Sequence, residues 1–368
     1  MKIKNQITLS LLFAIGIVMP CYVQAQDQES ESVATGALTA GGEFLLYNTD
    51  VRSSAMGNMK SIGITDAFSL YSNPAKLSYQ EDILENDISV SYSPVMPKYV
   101  NDMNIFSIAS NNLIVGGRGQ ESFLAFGFQY FSIGAVEFTD KQGNVSQFLR
   151  PKEMSFNIGY SMEVIEHLHM GVTLKGIYSK LVSSEPTVDL YKSALAGAID
   201  YGLYFEYPVA DDAQINAGYV LKNLGTKLKY SEEGDQTGLP TTMNLGLGYT
   251  KRIIDDNSYF FIGAEANKPF FPSDRNNTSL LPVGAGGGIG YSVGAELMFR
   301  SIFSAMAGYD AKSPEFGSVG YLTTGVGINT YFNAKKLSVT ASFLTPSKKE
   351  FSSGNIYRLG LSFSILEN

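Results

Sequence analysis

From about Asp87 to the C-terminus, apolar and polar residues alternate with a period of two. "FLAFGFQY" places Leu124, Phe126, Phe128 and Tyr130 on one face and Ala125, Gly127 and Gln129 on the other. "MSFNIGYSMEV" sets Met154, Phe156, Ile158, Tyr160, Met162 and Val164 opposite Ser155, Asn157, Gly159, Ser161 and Glu163. "AIDYGLYFEY", "GYSVGAELMFR" and "YRLGLSFSI" repeat the pattern. Alternation at 180° per residue predicts strands with one wet and one apolar face. About fourteen such segments occur, each of roughly ten residues, the length a tilted strand needs to cross a bilayer. They begin near Asp87, Met103, Ser122, Glu153, His167, Ala194, Ala213, Thr241, Ser258, Gly287, Ile302, Gly320, Lys336 and Asn355. The second, "MNIFSIASNNLIVGG", alternates least well.

The connections separate a soluble sandwich from a membrane barrel. After the third, fifth, seventh and ninth segments they are long, around Thr139–Pro151, Ser183–Tyr191, Gly225–Pro240 and Pro269–Ala285. After the fourth, sixth, eighth, tenth and twelfth they are short: "IEH", "PVADD", "IIDDN", the bend at Arg300–Ser301, and "NAKK". Outer-membrane barrels combine short periplasmic turns with longer outer loops. The expected fold is therefore all-β, a transmembrane antiparallel barrel of about fourteen strands over residues 86–368, with apolar side chains toward lipid and polar ones toward the lumen. An even strand count predicts both termini on the periplasmic side.

Composition adds a destination. The hydropathy sums to nearly zero, as alternating strands require. Lys2 and Lys4, an apolar run from Ile7 to Met19, and Val23 and Ala25 before a cut describe a signal peptide over residues 1–25. Cleavage there removes Cys21, the chain's one cysteine, and with it any disulfide or thiol chemistry. Residues 26–35, "QDQESESVAT", read as a disordered polar leader. The net charge of −8, with no Lys/Arg cluster, argues against nucleic acid as a partner.

Residues 36–85 hold too many apolar residues for a solvated linker and show no strand period. A fourteen-strand barrel encloses a wide lumen, so this segment is expected to fold inward as a hatch. Pro74 then needs no ladder partner, and Asn73 can make an Asx-type turn ahead of it.

"DVRSSAMGNMKSIGITDAFSLYSNPAKLSY" (Asp50–Tyr79) resembles the N-terminal signature of the PorV/PorQ branch of the FadL-like outer-membrane proteins. The matching residues are Asp50, Arg52, Ala55, Met56, Gly57, Asn58, Ala67, Asn73, Pro74 and Ala75. "NDISVSYSPVMPKYVNDMNIF" and "LAFGFQYFSIGAVEFTDKQGN" are more similar to PorV than to PorQ. The resemblance implies a non-enzymatic barrel of the type IX secretion system. Such a barrel accepts cargo carrying a C-terminal signal domain from the translocon barrel and passes it to a surface attachment complex with a PorU-like sortase. The alternative is a FadL-type passive channel for hydrophobic molecules. The long outer loops are the expected place for cargo and translocon contact.

Other constellations carry little chemistry. "GYSVG" (Gly290–Gly294) fits G-x-S-x-G, but that motif needs a strand–turn–helix context, and Ser292 falls inside an alternating run. The only two histidines, His167 and His169 in "EHLHM", give too few ligands for a tetrahedral metal site. "GAGGGIG" is not a dinucleotide loop. No catalytic residue, cofactor or metal is expected. Asp200, Glu206, Glu265, Glu296 and Arg300 are expected to face the lumen, where they either line a permeation path or pair with one another or with the hatch.

Overall fold

Alternating strands expose one apolar edge each, and the chain resolves this by closing the sheet on itself. The computed structural model describes residues 41–79, 84–100, 102–115, 121–139, 145–181, 193–230, 236–270, 288–312, 320–348 and 354–366. The expected signal peptide and polar leader lie outside these residues. The strands are β1 (Leu84–Pro94), β2 (Asn104–Val115), β3 (Glu121–Ser132), β4 (Val136–Thr139), β5 (Val145–Leu149), β6 (Lys152–Ile165), β7 (Leu168–Lys180), β8 (Ala194–Ala210) and β9 (Ala213–Gly225). They continue with β10 (Leu228–Lys229), β11 (Gln236–Thr237), β12 (Thr241–Arg252), β13 (Tyr259–Phe270), β14 (Gly290–Phe299), β15 (Phe303–Ala311), β16 (Tyr321–Phe332), β17 (Lys335–Pro346) and β18 (Ile356–Leu366).

Fourteen of them form a closed antiparallel barrel in the order β1-β18-β17-β16-β15-β14-β13-β12-β9-β8-β7-β6-β3-β2. Closure by the β1–β18 ladder, from Leu84↔Leu366 to Tyr92↔Leu359, leaves no open edge. The small hairpins β4–β5 and β10–β11 lie outside the barrel sheet, within the long connections β3–β6 and β9–β12. Neither was expected, because each is too short for its period to stand out.

The faces are inverted relative to a soluble protein. On β12, Leu245 and Leu247 are 56% and 67% exposed, while Asn244 between β12's apolar positions is buried. Phe156, Ile158, Leu359 and Leu361 are likewise exposed, and Ser155, Asn157 and Arg358 buried. Among the described residues no helix is long and apolar enough to cross a membrane. The outward apolar belt does so by strands.

Tight turns at one end reverse the chain with left-handed residues. Arg300 and Ser301 have φ of 49° and 54°, and His167 and Asn333 also have positive φ. Leu84 and Leu366 pair at this end. The described chain nevertheless begins at the other end. The Gly41 amide donates to the Gly238 carbonyl in the β9–β12 connection, and Phe44 stacks on Phe131 near the end of β3. The first and last barrel strands thus begin and end at the tight-turn end, while the segment before β1 runs lengthwise through the lumen to Gly41 at the other.

Candidate functional site

The lumen is occupied by residues 41–79. Four short helical pieces, Glu43–Leu46, Val51–Ala55, Ser69–Ser72 and Pro74–Ser78, are joined by irregular backbone. None could fold alone. Two of them carry a side-chain cap in addition to their contacts with the wall. Asp50 caps Val51–Ala55, its Oδ1 accepting from the Arg52 and Ser53 amides at 3.0 and 3.1 Å. Asn73 caps Pro74–Ser78 by accepting from the Ala75 amide at 3.1 Å, the geometry of an Asx turn. Pro74 stands at the helix start, where no N–H is needed. The Asn73 amide then donates to the carbonyls of Ser61 (2.9 Å) and Leu203 (3.1 Å), tying two hatch segments to β8.

The predicted motif residues all lie in this plug, and three of the predicted charges meet it or its wall. Arg52 donates from Nε and Nη2 to Glu296 Oε1 at 2.9 and 2.5 Å, and from Nη2 to the Tyr259 hydroxyl at 2.9 Å. The Glu296 side chain is wholly buried. Glu265 Oε2 accepts from the Lys60 amide (2.8 Å), the Ser61 amide (2.6 Å) and the Ser61 hydroxyl (2.6 Å), while Asn244 donates to Oε1. This arrangement is a built anion cradle for a wall carboxylate. Asp200 pairs with Lys175 at 2.7 Å and accepts from the Asn223 amide, bracing β7, β8 and β9. Glu265 and Glu296 are thus bonded to hatch residues, and Asp200 to residues of its neighbouring strands.

Glu206 lies at the tight-turn rim, 3.3 Å from His167 Nδ1. Arg300 does not face the lumen. It occupies the β14–β15 turn, exposed, with its guanidinium over the Phe299 ring, because the strand ends at Phe299 and its positive φ breaks the alternation.

Met56, Gly57 and Asn58 press on the wall with backbone. Gly57 has φ +70°, donates to Thr323 Oγ1 at 2.8 Å, and a Cβ there would lie 2.4 Å from the Val293 carbonyl oxygen. Asn58 donates to Asp310 at 3.3 Å. The wall answers with glycines at inward positions. Gly248, Gly263, Gly294 and Gly308 are successive cross-strand partners on β12–β15. A Cβ on Gly294 would lie 2.4 Å from the Met56 oxygen, and one on Gly308 2.2 Å from the Gly57 nitrogen. Gly171 and Gly202, and Gly218 and Gly246, are further pairs, against Pro74, Asn73 and Ser61. The sequence showed Gly-rich inner faces, but not that backbone would lie on them.

Residues outside the predicted set complete the seat. Lys222 Nζ donates to the Tyr71 carbonyl at 2.5 Å, Lys76 Nζ to the carbonyls of Ile62 and Ile64 at 3.4 Å, and Lys60 Nζ to that of Leu46 at 3.2 Å. Asp87 accepts from the Ala67 amide at 2.6 Å, and Arg358 donates to the Ser54 hydroxyl. Burial pushes the Lys60 ammonium down to about 8. Burial likewise lowers Lys76 and raises Asp66 well above the usual carboxylate range, as expected for charges removed from water. Single lysines against carbonyls leave no sequence spacing to detect.

Ser292 of the "GYSVG" run lies within β14, with Glu265 and Asp310 as cross-strand partners, so the motif is strand and not a nucleophile turn. His169 is buried on β7 beside Ser78 and Tyr79.

A closed barrel with an apolar outer belt, a polar inner face and a folded polypeptide in its lumen is an outer-membrane β-barrel protein. Among solved structures, the Pseudomonas putida toluene transporter TodX shares 14% identity at a TM-score of 0.52, over 86% of this chain and 97% of that one. The TodX deltaS2S3 mutant monoaromatic hydrocarbon channel shares 13% at 0.56, over 87% and 99%. At these identities the likeness shows the FadL-like fold alone. None of the curated proteins matches the chain significantly in sequence. Residues 27–276 match the family described as type IX secretion system protein PorV, and the chain belongs to that family.

Proposed function

We propose that this barrel accepts secreted cargo, through a C-terminal signal domain, from the translocon barrel and delivers it to a surface attachment complex containing a PorU-like sortase. The observation that carries the proposal is the PorV family match over residues 27–276. In this reading the long connections face outward and the tight turns face the periplasm, as in outer-membrane barrels generally. The Asp50–Asn58 and Asn73–Ala75 stretches serve to keep the lumen shut. Support for a closed lumen comes from the buried Glu296 with its Arg52 partner and from the cradle around Glu265. A protein that hands on folded cargo outside the membrane has no use for an open pore. A passive channel for hydrophobic molecules would need a continuous apolar path instead.

Deletion of the gene tests the proposal. Cargo is expected to stay in the periplasm or to be released unanchored. Normal surface display of cargo, with lost uptake of a hydrophobic compound, would overturn the shuttle reading and favour the channel.

A further inference from the structure

The mouth at the long-connection end contains a cavity of about 390 Å³ that hatch and wall build together. Its apolar walls are Met96, Met103, Phe131, Ile133 and Leu181, and the hatch turn at Gly41–Phe44 forms part of its lining. Met96 and Leu181 are each 37% exposed, so the rim is open. Set into this lining is a carboxylate, Glu153, which is 4% exposed. A short relay fixes it: the Tyr230 hydroxyl donates to Ser179 Oγ at 2.9 Å, and Ser179 Oγ donates to Glu153 Oε1 at 2.7 Å. One hydroxyl uses a fraction of a carboxylate's four or so acceptor sites. Glu43, exposed on the hatch turn, adds a second carboxylate to the lining.

No Lys or Arg is among the described residues that line this cavity. Lys152 and Lys180 are cross-strand partners next to Glu153 and Ser179, but strand alternation turns them to the outer face. An apolar cup with one oriented, buried carboxylate has a definite ligand preference. An anionic amphiphile would bring like charge against Glu153. A plain hydrocarbon would fill the walls and strip water from the carboxylate without replacing its hydrogen bonds. A guanidinium or ammonium on an apolar stem satisfies both parts, because the stem packs on Met and Leu while the head donates to Glu153.

We infer that this cavity receives a lysine or arginine side chain of a polypeptide that docks at the barrel mouth. The choice of a polypeptide rests on the secretion reading. The preference for a cation rests on the cavity alone.

The test uses the full mature chain in neutral detergent micelles and three probes of similar shape: n-butylguanidinium, n-butylurea and pentanoate. Saturation-transfer NMR titrations are expected to give n-butylguanidinium a Kd at least tenfold below that of n-butylurea, with no saturable binding of pentanoate. In Glu153→Gln the tenfold preference should disappear while n-butylurea still binds, which shows that the variant is folded. Leu181→Trp, which fills the cup from its rim, should abolish binding of n-butylguanidinium. Equal or tighter binding of n-butylurea or pentanoate to the unaltered protein, or a preference that survives Glu153→Gln, overturns the inference. In cells, a photo-cross-linker at Leu181 should capture cargo known to be secreted, and Glu153→Gln should cut that yield several-fold. An unchanged yield overturns the polypeptide assignment. The deletion experiment reads cargo fate, so failure of the secretion reading there is distinguishable from failure of the cation preference here.

Discussion

Adding one methyl group to the wall at Gly218 should dislodge the hatch. A Cβ at Gly218 would lie 2.0 Å from the Ser61 carbonyl oxygen and 2.6 Å from its carbon, where real Cβ contacts stay beyond 3.0 Å. One side must retreat by about 1 Å. The wall is held on both sides, since β9 pairs with β8 and β12 and both ladders are unbroken around Gly218. Ser61 has no ladder, so it moves. Its amide and hydroxyl bonds to Glu265, both 2.6 Å, then stretch to about 3.6 Å, outside hydrogen-bond range. Each bond to a charged group contributes about 1.5–3 kcal/mol, so two are worth about 3–6 kcal/mol, while the barrel ladders are untouched. At 1.4 kcal/mol per factor of ten, opening of the hatch should rise by about 100-fold or more.

The assay is maleimide labelling of a thiol at Ser69→Cys in a chain with Cys21→Ser. Ser69 is 1% exposed, and its hydroxyl has no hydrogen-bond partner among the described residues, so the thiol is a mild change. Gly218→Ala should label about 100-fold faster than its parent. Gly176→Ala, on the outer face with nothing within 4 Å of the added carbon, should label at the parent rate. Equal labelling rates in Gly218→Ala and its parent would show that the hatch does not rest on this wall as described.

Arg52→Ala leaves the Glu296 carboxylate buried without its guanidinium, a loss of about 3–5 kcal/mol in seating the hatch. Limited proteolysis should then cut the hatch at protease levels that spare the parent, and Arg52→Lys should fall between the two. The Lys60 ammonium has a folded pKa near 8 against an ordinary value of 10.5, so the protein with its hatch undocked binds more protons between these values. Hatch stability should rise with pH across that window and be flat in this respect below pH 8. Labelling at Ser69→Cys should therefore slow from pH 8 to pH 10, and Lys60→Met should remove that slope.

The barrel was legible because its physics is local. Period-two alternation names each strand and its two faces, as in Leu245 and Leu247 against Asn244. The "YSNPAKL" stretch was legible as a capped turn because Asn73 and Pro74 act on their own neighbours. What did not show depends on register. Gly248 and Gly308 are 60 positions apart in the chain yet belong to one row across four strands, and only the ladders reveal it. The hatch partners of Glu265 and Glu296 lie more than 200 positions away. Arg300 falls outside the lumen because alternation, carried one residue past the end of β14, enters a left-handed turn. The direction of the hatch has no periodic signature, so the position of Gly41 at the long-connection end could not be read.

The close seat of residues 41–79 also fixes how they can leave it. At Gly294 and Gly308 backbone lies against backbone, with no clearance for sliding along the axis of the bore. Release therefore begins as a step away from the wall, and it needs no parting of the seam where the first strand meets the last, along Leu84–Tyr92 and Leu359–Leu366.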